Sequence, residues 1–352
     1  MQTQKNSNVS LEGKIKAEAI RLGFSLCGFT SPESPVEFKR FEKWLSGGQQ
    51  AGMVYLESPR HLILRQHPDQ LVSGVKTIIS LAWPYALQHE EKDDSTIKPM
   101  IAGYTNGMDY HLMLPAKLNQ LVDFIQNEID VEFHTQAFTD SAPILERELA
   151  SRAGLGWIGK NSCLISPEIG SAFLLAELFI DFPLHPDLPF TDDRCGTCHR
   201  CLDACPTACI QTDRTIDSNK CISYLTIEHK GSLPVELRPS IGKWLFGCDI
   251  CQTVCPWNRT GQSQSFHRDY AKWSSEEVEG ILSITRDEFT NHFKETALYR
   301  TKLKGLQRNA LIWLGNNGDD KKTAVIEAFV LRTTDVDLFE SANWAVNKIV
   351  QT

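Results

Sequence analysis

The chain has 352 residues, of which 41% are hydrophobic and 23% are charged, as in an ordinary soluble globular protein with two or three domains. Its formal net charge of −8 argues against broad affinity for nucleic acids, although a local basic patch could still bind one. The polar start MQTQKNSNVS lacks the apolar stretch of a signal peptide, and no apolar run is long enough to span a bilayer. We therefore expect a cytoplasmic protein without membrane association.

The first half of the chain predicts alternating helices and strands. Amphipathic periodicity predicts helices over 11–22, 36–46 and 112–129, and a further helix starting at about Pro143. Apolar or alternating patterns predict strands over 75–83, 131–138 and 171–180. These elements indicate an N-terminal domain of α/β or α+β type.

Two cysteine runs dominate the middle of the chain. The first is Cys195-x2-Cys198-x2-Cys201-x3-Cys205-Pro206, which is the spacing of the bacterial ferredoxin run. The second, Cys248-x2-Cys251-x3-Cys255-Pro256, lacks the first cysteine of that run, and Cys221 lies between the two. The fourth cysteine of such a run usually ligates the other cluster, so the pattern predicts two crossed [4Fe–4S] sites. One is formed by Cys195, Cys198, Cys201 and Cys255, and the other by Cys205, Cys221, Cys248 and Cys251.

Two other roles for these cysteines fit the pattern less well. Structural zinc sites also use paired CxxC motifs, but zinc rarely needs the full CxxCxxCxxxCP string, and it does not explain a proline at the same place after both runs. A disulfide framework is typical of small secreted domains, whereas this chain is long and its cysteines follow metal-ligand spacing.

After about residue 298 the sequence predicts only helices. Two similar helices are expected to start near Asn309 and Asn343, and a separation of about 34 residues is typical of helical-hairpin repeats of the HEAT kind. A plain helical cap at the C-terminus explains the pattern equally well.

Iron–sulfur clusters alone move single electrons, and the N-terminal domain is larger than an electron carrier requires. We therefore expect this domain to hold a group that receives the electrons. A Rossmann dinucleotide site is not supported, because no G-x-G-x-x-G motif follows a predicted strand. The stretch AGLGWIGKN, residues 153–161, has spaced glycines but follows a helix and lacks P-loop spacing.

Several stretches resemble the epoxyqueuosine reductases, a family of cobalamin-dependent iron–sulfur enzymes of tRNA modification related in core to the reductive dehalogenases. The resemblance covers nearly the whole chain. It is carried, besides the run from Cys195, by MVYL (53–56), DYH (109–111), TDSAPILERELASRAGLGWIGKN (139–161), CISYLTIE (221–228) and GCDICQTVCPWN (247–258).

The resemblance implies three domains and a reaction. The domains are a cobalamin-binding catalytic domain over 1–185, a ferredoxin-like domain with two [4Fe–4S] clusters over 186–262, and a helical HEAT-like domain over 263–352. The reaction is the last step of queuosine synthesis, in which the epoxide of epoxyqueuosine at the tRNA wobble position is reduced to an alkene with loss of water. Cobalamin would receive the electrons that the clusters deliver.

Asp140 matches the proton donor proposed for the family. An acid in that role must be protonated when it acts, which calls for a pKa raised by burial. From its position alone, close to the start of a predicted helix, Asp140 could instead be an ordinary N-cap residue.

Other polar residues are expected around the cofactor. DYHLML has the Asp and His of the cobalt-binding motif D-x-H-x-x-G, but Leu114 replaces its glycine, so we expect His111 and Tyr110 only to line or support the site. A simple turn is the alternative for the residues after the glycines, and a local backbone hydrogen bond is the alternative for Asp249. The cofactor-binding residues expected with Asp140 are Tyr104, Lys160, Asn161, Ser223, Thr226 and Asp249.

The implied partners are a tRNA carrying epoxyqueuosine and an unidentified electron donor such as a ferredoxin or flavodoxin. The basic stretch 294–308 suggests phosphate contacts through Lys302, Lys304 and Arg308, although a solvated helix face is the plainer interpretation. We expect a monomer. Two alternative functions are a soluble cobalamin-dependent reductive dehalogenase and an iron–sulfur protein that only transfers electrons.

Overall fold

The computed structural model describes residues 9–88, 97–258 and 273–351. The α-helices are α1 Leu11–Leu22, α2 Phe38–Ser46, α3 Pro59–Gln66, α4 Tyr110–Glu128, α5 Glu146–Arg152, α6 Arg200–Ala204, α7 Ile222–Ile227, α8 Arg238–Ile241, α9 Ile250–Thr253, α10 Ser275–Ile281, α11 Arg286–Phe293, α12 Lys302–Asn317, α13 Asp320–Val330 and α14 Val336–Val350. The β-strands are β1 Leu26–Thr30, β2 Thr77–Pro84, β3 Met100–Ile101, β4 Thr135–Phe138, β5 Trp157–Ile158, β6 Leu164–Ile165, β7 Phe173–Ile180 and β8 Trp244–Phe246. The mixed fold predicted from the sequence is confirmed.

A four-stranded sheet forms the centre of the N-terminal part, with strand order β1-β2-β7-β4 and antiparallel pairing throughout. The apolar strands β2 and β7 lie in the middle, because continuous apolar runs are stable where both faces of a sheet are covered. Their register places Ser80 of β2 directly opposite Glu177 of β7.

Helices cover both faces of this sheet. On one face, Ile15 of α1 and Leu114 and Leu118 of α4 share a buried core with Leu81 and Leu178 of the central strands. Ser10 begins α1 by accepting the N–H of Gly13, and Asp109 begins α4 by accepting the N–H of His111. The predicted helices over 11–22 and 112–129 are therefore confirmed, the second beginning two residues earlier than predicted.

The short helix α5 packs on the other face. Leu149 shares a core with Ile78 and Phe179, and Ala150 shares one with Ala82. The sequence predicted that this helix starts at about Pro143. In the structure it begins three residues later, at Glu146. The connection between the edge strand β4 and α5 therefore spans residues 139–145, and this connection carries Asp140.

The cysteine-rich middle segment is packed against both other parts of the chain. Strand β8, which precedes the second cysteine run, pairs in parallel with β3 of the N-terminal half. Ile101 of β3 and Phe246 of β8 belong to the same buried core as Leu306 and Leu314 of α12 and Ala342 of α14. The cluster-binding segment is thus continuous in packing with the C-terminal helices.

The C-terminal part consists of helices, as predicted, but their boundaries differ from those expected. Asn309 and Asn343 lie within α12 and α14 rather than at helix starts. The expected HEAT-like repeat and the three domain boundaries remain predictions, and the boundary at 262/263 lies outside the described residues. No helix in the described ranges combines the length and hydropathy needed to cross a bilayer.

The predicted contact between Arg308 and tRNA phosphate is wrong, because Arg308 is buried. Its side chain is 2% exposed and donates hydrogen bonds to the backbone carbonyls of Leu225 at 2.7 Å, His229 at 2.8 Å and Gly231 at 3.1 Å. Because these carbonyls use its guanidinium, Arg308 cannot reach a phosphate. It fixes the end of α7 and the following turn against α12.

We expect Arg308→Ala to lower the free energy of unfolding by about 3 kcal/mol, because several buried carbonyls lose their donor together. Anaerobic denaturant unfolding of the holoenzyme measures this change. Lys321→Ala, an exposed change on α13, is the matched control and should stay within about 0.5 kcal/mol of the unmodified chain. Equal stability of the two variants would contradict the structural role of Arg308.

Candidate active site and cluster-binding loops

A cavity of about 920 Å³ lies where the three parts of the chain meet. The N-terminal part contributes Asp140 and Tyr110, the segment after the first cysteine run contributes Cys221 and Ser223, and the segment before α12 contributes Arg300. Such a volume is large enough for a sizeable cofactor or substrate group. One cavity wall thus contains both a predicted cluster ligand and the predicted proton donor.

Asp140 is held in an uncommon backbone conformation. Its φ of 52° is in the left-handed region, which few residues other than glycine adopt. Its N–H donates to Oε1 of Glu146 at 2.6 Å, and its Oδ2 accepts the hydroxyl of Tyr110 at 2.7 Å. Nη1 of Arg300 and Nε2 of His111 lie 3.5 and 3.7 Å from the same oxygen. The side chain is fixed at one oxygen while about 50% of its surface remains exposed to the cavity.

The surroundings of Asp140 favour its ionised form. Burial alone would raise the pKa of Asp140, but hydrogen bonds from His111 and Tyr110 and the charge of Arg300 outweigh burial and lower that pKa below its usual value. The expectation of a raised pKa is therefore wrong for this arrangement. The N-cap alternative is also wrong, because Leu145 occupies the N-cap position of α5.

The neighbouring Glu146 behaves in the opposite way. Burial and then the nearby charge of Asp140 raise the pKa of Glu146 to about 8. These opposite shifts favour a proton on Glu146 over one on Asp140. Sequence reasoning missed Glu146. It lies inside the resemblance stretch 139–161, but nothing in its spacing distinguishes it from a solvated first-turn glutamate.

Tyr110 and His111 both lie in the cavity wall, at the start of α4. Their rings lie 4.0 Å apart between centroids, and Asp109 Oδ1 binds Nδ1 of His111 at 2.8 Å. Hydrogen bonding to Asp140 raises the pKa of His111, against the effect of burial. His111 is therefore tuned towards its charged form beside a carboxylate.

Arg300 reaches the cavity from the C-terminal part, and sequence reasoning missed it. Its Nε donates to Glu228 Oε1 at 2.5 Å, and burial is outweighed by Glu228 and Asp140, so its pKa is raised. Arg300 belongs to the basic stretch 294–308, which suggested tRNA contacts. Charge pattern alone could not show that one of these side chains points into the cavity.

The structure brings together the thiols of each predicted cluster set. Cys201 and Cys255 lie near Cys195, and Cys255 also lies near Cys198, closely enough for their charges to interact. Such interactions likewise connect the members of the other set, which are Cys205, Cys221, Cys248 and Cys251. Helices α6 and α9, which carry the two runs, pack against each other. The crossed arrangement is therefore compatible with the chain path.

In residues 9–88, 97–258 and 273–351 no three Cys, His, Asp or Glu side chains converge closely enough to hold a single metal ion without rearrangement. Two further thiols border the second set: Cys209 lies 3.4 Å from Cys205, and Cys163 hydrogen-bonds Cys251.

Lys160 and Asn161 contact the cysteine loops rather than the cavity. Lys160 Nζ donates to the carbonyls of Gly196 at 2.6 Å and Cys198 at 2.9 Å. The buried Asn161 donates to the carbonyl of Cys251 at 3.4 Å and accepts the N–H of Cys163 at 3.3 Å. These hydrogen bonds connect both residues to the loops that carry the cysteines, and their expected role as cofactor contacts stays a prediction.

Thr226 and Asp249 are also buried behind the cavity wall. Thr226 donates to the carbonyl of Ile222 at 2.8 Å and accepts the N–H of Gly247 at 2.9 Å. Asp249 accepts the N–H of Gly103 at 2.6 Å, and burial raises its pKa to about 6. A side chain at position 103 would collide with the carbonyl of Ala86, so only glycine permits this approach. Both residues support the wall through these hydrogen bonds, and their expected contact with the cofactor stays a prediction.

Tyr104 and Ser223 are the two other expected cofactor contacts, and both line the cavity. Tyr104 follows the Gly103 anchored by Asp249, and its ring packs at 5.9 Å against that of Tyr110. Ser223 lies two residues after Cys221. These positions place Tyr104 near the acid side chains and Ser223 near the second cluster set.

Two family models match this chain. The 4Fe-4S double cluster binding domain matches residues 194–258, and the model described as Epoxyqueuosine reductase QueG, DUF1730 matches residues 65–141. The epoxyqueuosine reductase of Cyclobacterium marinum is 43% identical over 305 residues, which cover 84% of this chain and 94% of the relative. The chain belongs to the epoxyqueuosine reductase family.

Other members of the family agree over more of the chain. The Escherichia coli epoxyqueuosine reductase is 35% identical over 97% of this chain and 90% of its own length. The Streptococcus thermophilus epoxyqueuosine reductase structure superposes with a TM-score of 0.85 at 30% identity, covering 96% of this chain and 90% of that one. An epoxyqueuosine reductase solved with an epoxyqueuosine-modified tRNA-Tyr stem loop gives a TM-score of 0.81 at 28% identity, covering 97% and 99%.

The crossed ligand sets predict the effect of losing one cysteine. The anaerobically purified chain should contain about eight iron atoms, and Cys255→Ser should impair the cluster of Cys195, Cys198 and Cys201. Iron analysis with electron paramagnetic resonance separates the two clusters. Cys27→Ser, outside both sets, is the control and should retain all iron. Selective loss of the other cluster in the Cys255 variant would show that the runs do not cross.

Proposed function

We propose that this chain reduces the epoxide of epoxyqueuosine in tRNA to the alkene of queuosine, as the last step of queuosine biosynthesis. Membership of the epoxyqueuosine reductase family supports this function over the reductive dehalogenase and electron-transfer alternatives. The observation that carries it is the single cavity lined by Cys221, a predicted cluster ligand, and by Asp140, a carboxyl group able to exchange protons.

The donor set and the cavity fit the cofactors of the family. Eight thiols in two spatial groups suit two [4Fe–4S] clusters, in agreement with the double-cluster domain model. The cavity between the second group and Asp140 suits cobalamin, with Tyr104 and Ser223 as the residues that would hold it. Bound there, cobalamin would supply a strongly reducing cobalt centre beside Asp140.

Asp140 and the side chains around it protonate the leaving oxygen and stabilise the charge that results. Asp140 donates a proton to the epoxide oxygen once it is itself protonated. Tyr110 holds the same carboxyl oxygen at 2.7 Å and orients it. Positive charge on His111 and Arg300 stabilises the carboxylate that remains after the transfer, which lowers the barrier for general acid catalysis.

The electrons would enter at the cluster set that lies away from the cavity. Of the eight predicted ligands only Cys221, a member of the second set, lines the described cavity. The loop of the first run is at the surface, where Asp192, Arg194, Gly196 and His199 are exposed. We propose that the electron donor docks over this loop and that electrons pass from the first cluster to the second.

The tRNA would cover the cavity mouth near the start of α12. Lys302 is exposed there, with its Nζ 4.2 Å from the ring centre of Tyr299, which lines the cavity. Lys304 is less available, because it forms ion pairs with Asp335 at 2.7 Å and Asp337 at 2.6 Å. We propose that Lys302 contacts phosphate and that Lys304 contributes less.

Asp140→Asn should lower single-turnover reduction of epoxyqueuosine tRNA by about 10²- to 10⁴-fold, the usual contribution of a general acid. The amide is nearly isosteric and still accepts the Tyr110 hydroxyl, so cluster content, cofactor retention and tRNA affinity should hardly change. Asp123→Asn, an exposed change on α4, is the control. A wild-type rate in the Asp140 variant would remove the proton-donor role.

Lys302→Ala should weaken tRNA binding and reduce the slope of log affinity against log salt by about 1, because one phosphate contact is lost. Titration of tRNA binding at several salt concentrations measures this slope, with Lys321→Ala as the control. If the slope is unchanged, Lys302 belongs to an ordinary solvated face. Cofactor content should be the same in all of these proteins.

A further inference from the structure

The reaction needs more protons than Asp140 can hold. Both C–O bonds of the epoxide break, two electrons form the C=C bond, and the oxygen leaves as water, so two protons must reach one oxygen atom. Asp140 can carry one proton at a time, and its surroundings favour the ionised form. The proposed function therefore requires a proton source next to Asp140, and the inference below rests on that function.

Glu146 is in direct contact with Asp140 and with the cavity. Its Oε1 accepts the backbone N–H of Asp140 at 2.6 Å, which leaves Oε2 free to carry a proton. It lines the same cavity as Asp140, at the first residue of α5. Burial and the charge of Asp140 raise its pKa to about 8, which agrees with a protonated group at neutral pH.

Glu177 is a second carboxyl group behind this pair. It lies in the middle of β7 with 0% exposure, opposite Ser80 of β2 and Phe138 of β4. Neither carboxyl oxygen has a hydrogen-bond partner, and the hydroxyl of Ser80 has none either. A buried carboxylate without partners costs several kcal/mol, so Glu177 keeps its proton. Burial raises the pKa of Glu177, and the charges of Glu146 and Asp140 raise it further. Its pairing partner Phe138 ends β4 only two residues before Asp140.

The cationic side chains near these two glutamates are bound to other groups or weakened as cations by burial. Arg147 donates to the carbonyl and hydroxyl of Ser162, and Arg300 is bound by Glu228. His111 and Arg65 also interact with Glu146, but His111 is bound by Asp109 and Asp140, and burial lowers the pKa of Arg65. No cation pairs with Glu177 among the ion pairs of the described residues.

We propose that Glu146 and Glu177 store the protons that reload Asp140 during epoxide reduction. Glu146 passes its proton to Asp140, which gives it to the epoxide oxygen as the first C–O bond breaks. Glu177 then reloads Glu146, once a side-chain rotation or an entering water brings the two carboxyl groups into hydrogen-bond contact, and the second proton follows the same path as the oxygen leaves as water. The electrons come from the reduced cofactors of the proposed function, and solvent restores both glutamates between turnovers.

A purely structural role for these residues makes different predictions. If Glu146 only accepts the Asp140 N–H, Glu146→Gln preserves that contact through its amide oxygen and activity should persist. If Glu177 is only a buried polar group, the neutral Glu177→Gln should likewise be silent. The isosteric variants therefore separate proton storage from positioning, because neither glutamine can give up a proton at these pH values.

The test uses fully reduced holoenzyme and epoxyqueuosine tRNA in single turnovers. Glu146→Gln should slow alkene formation by about 10²- to 10⁴-fold, and Glu177→Gln should slow it by a smaller factor with a larger solvent deuterium isotope effect. In the unmodified chain the rate should fall as pH rises through about 8, where Glu146 loses its proton. Glu132→Gln, an exposed change between α4 and β4, is the control and should retain the wild-type rate.

Infrared titration of the unmodified holoenzyme tests, without turnover, whether Glu146 and Glu177 hold protons. A protonated carboxyl band should be present at pH 7, diminish through about pH 8, and lose intensity in the two Gln variants. Absence of that band, or wild-type rates in both variants, overturns the proton store. Failure of the unmodified chain to reduce the tRNA would overturn the proposed function instead, and the infrared band would still report on the glutamates.

Discussion

The carboxylate of Asp140 is the point on which the arrangement of the cavity depends. It binds Tyr110 at the start of α4, the helix on one face of the sheet, while its backbone binds Glu146 at the start of α5 on the other face. Arg300, from the C-terminal part, forms an ion pair with the same carboxylate. Arg300 also binds Glu228, which belongs to the segment that begins at Cys221. Three distant stretches of sequence are thus held around one negative charge in a poorly solvated site, where such interactions are strong.

Buried ionisable groups in this chain fall into two kinds, and their partners distinguish them. Arg308 and Asp249 are buried, but backbone groups satisfy them, so their role is to hold segments together. Glu177 is equally buried, but its oxygens have no partner. An apolar side chain at this position would make the fold more stable if only packing mattered, so the presence of the carboxyl group points to a use for its proton.

Much of the fold could be predicted from the sequence, because periodicity reports burial within one element. The helix over 11–22 and the strand over 75–83 follow from such local patterns. The crossed cysteine sets are a prediction from spacing that limits how loops can wrap a cluster. Lys160, Asn161 and Asp249 could not be assigned, since their partners are carbonyl and N–H groups on loops far away in sequence. Arg300 and Arg308 look alike in a basic stretch, and only the tertiary packing separates the cavity residue from the buried one.

Electron delivery and proton storage belong together in such a cavity for an electrostatic reason. Each electron that arrives adds negative charge where water cannot screen it, and this charge raises the proton affinity of Asp140. The same charge would draw protons from solvent if the cavity were open, and substrate binding over the mouth slows that path. A carboxyl group that is already protonated beside Asp140 supplies the proton when the electron arrives. Because burial favours the protonated form of Glu146 and hydrogen bonds favour the ionised form of Asp140, the pair starts with the proton one transfer away from Asp140, which then passes it to the leaving oxygen.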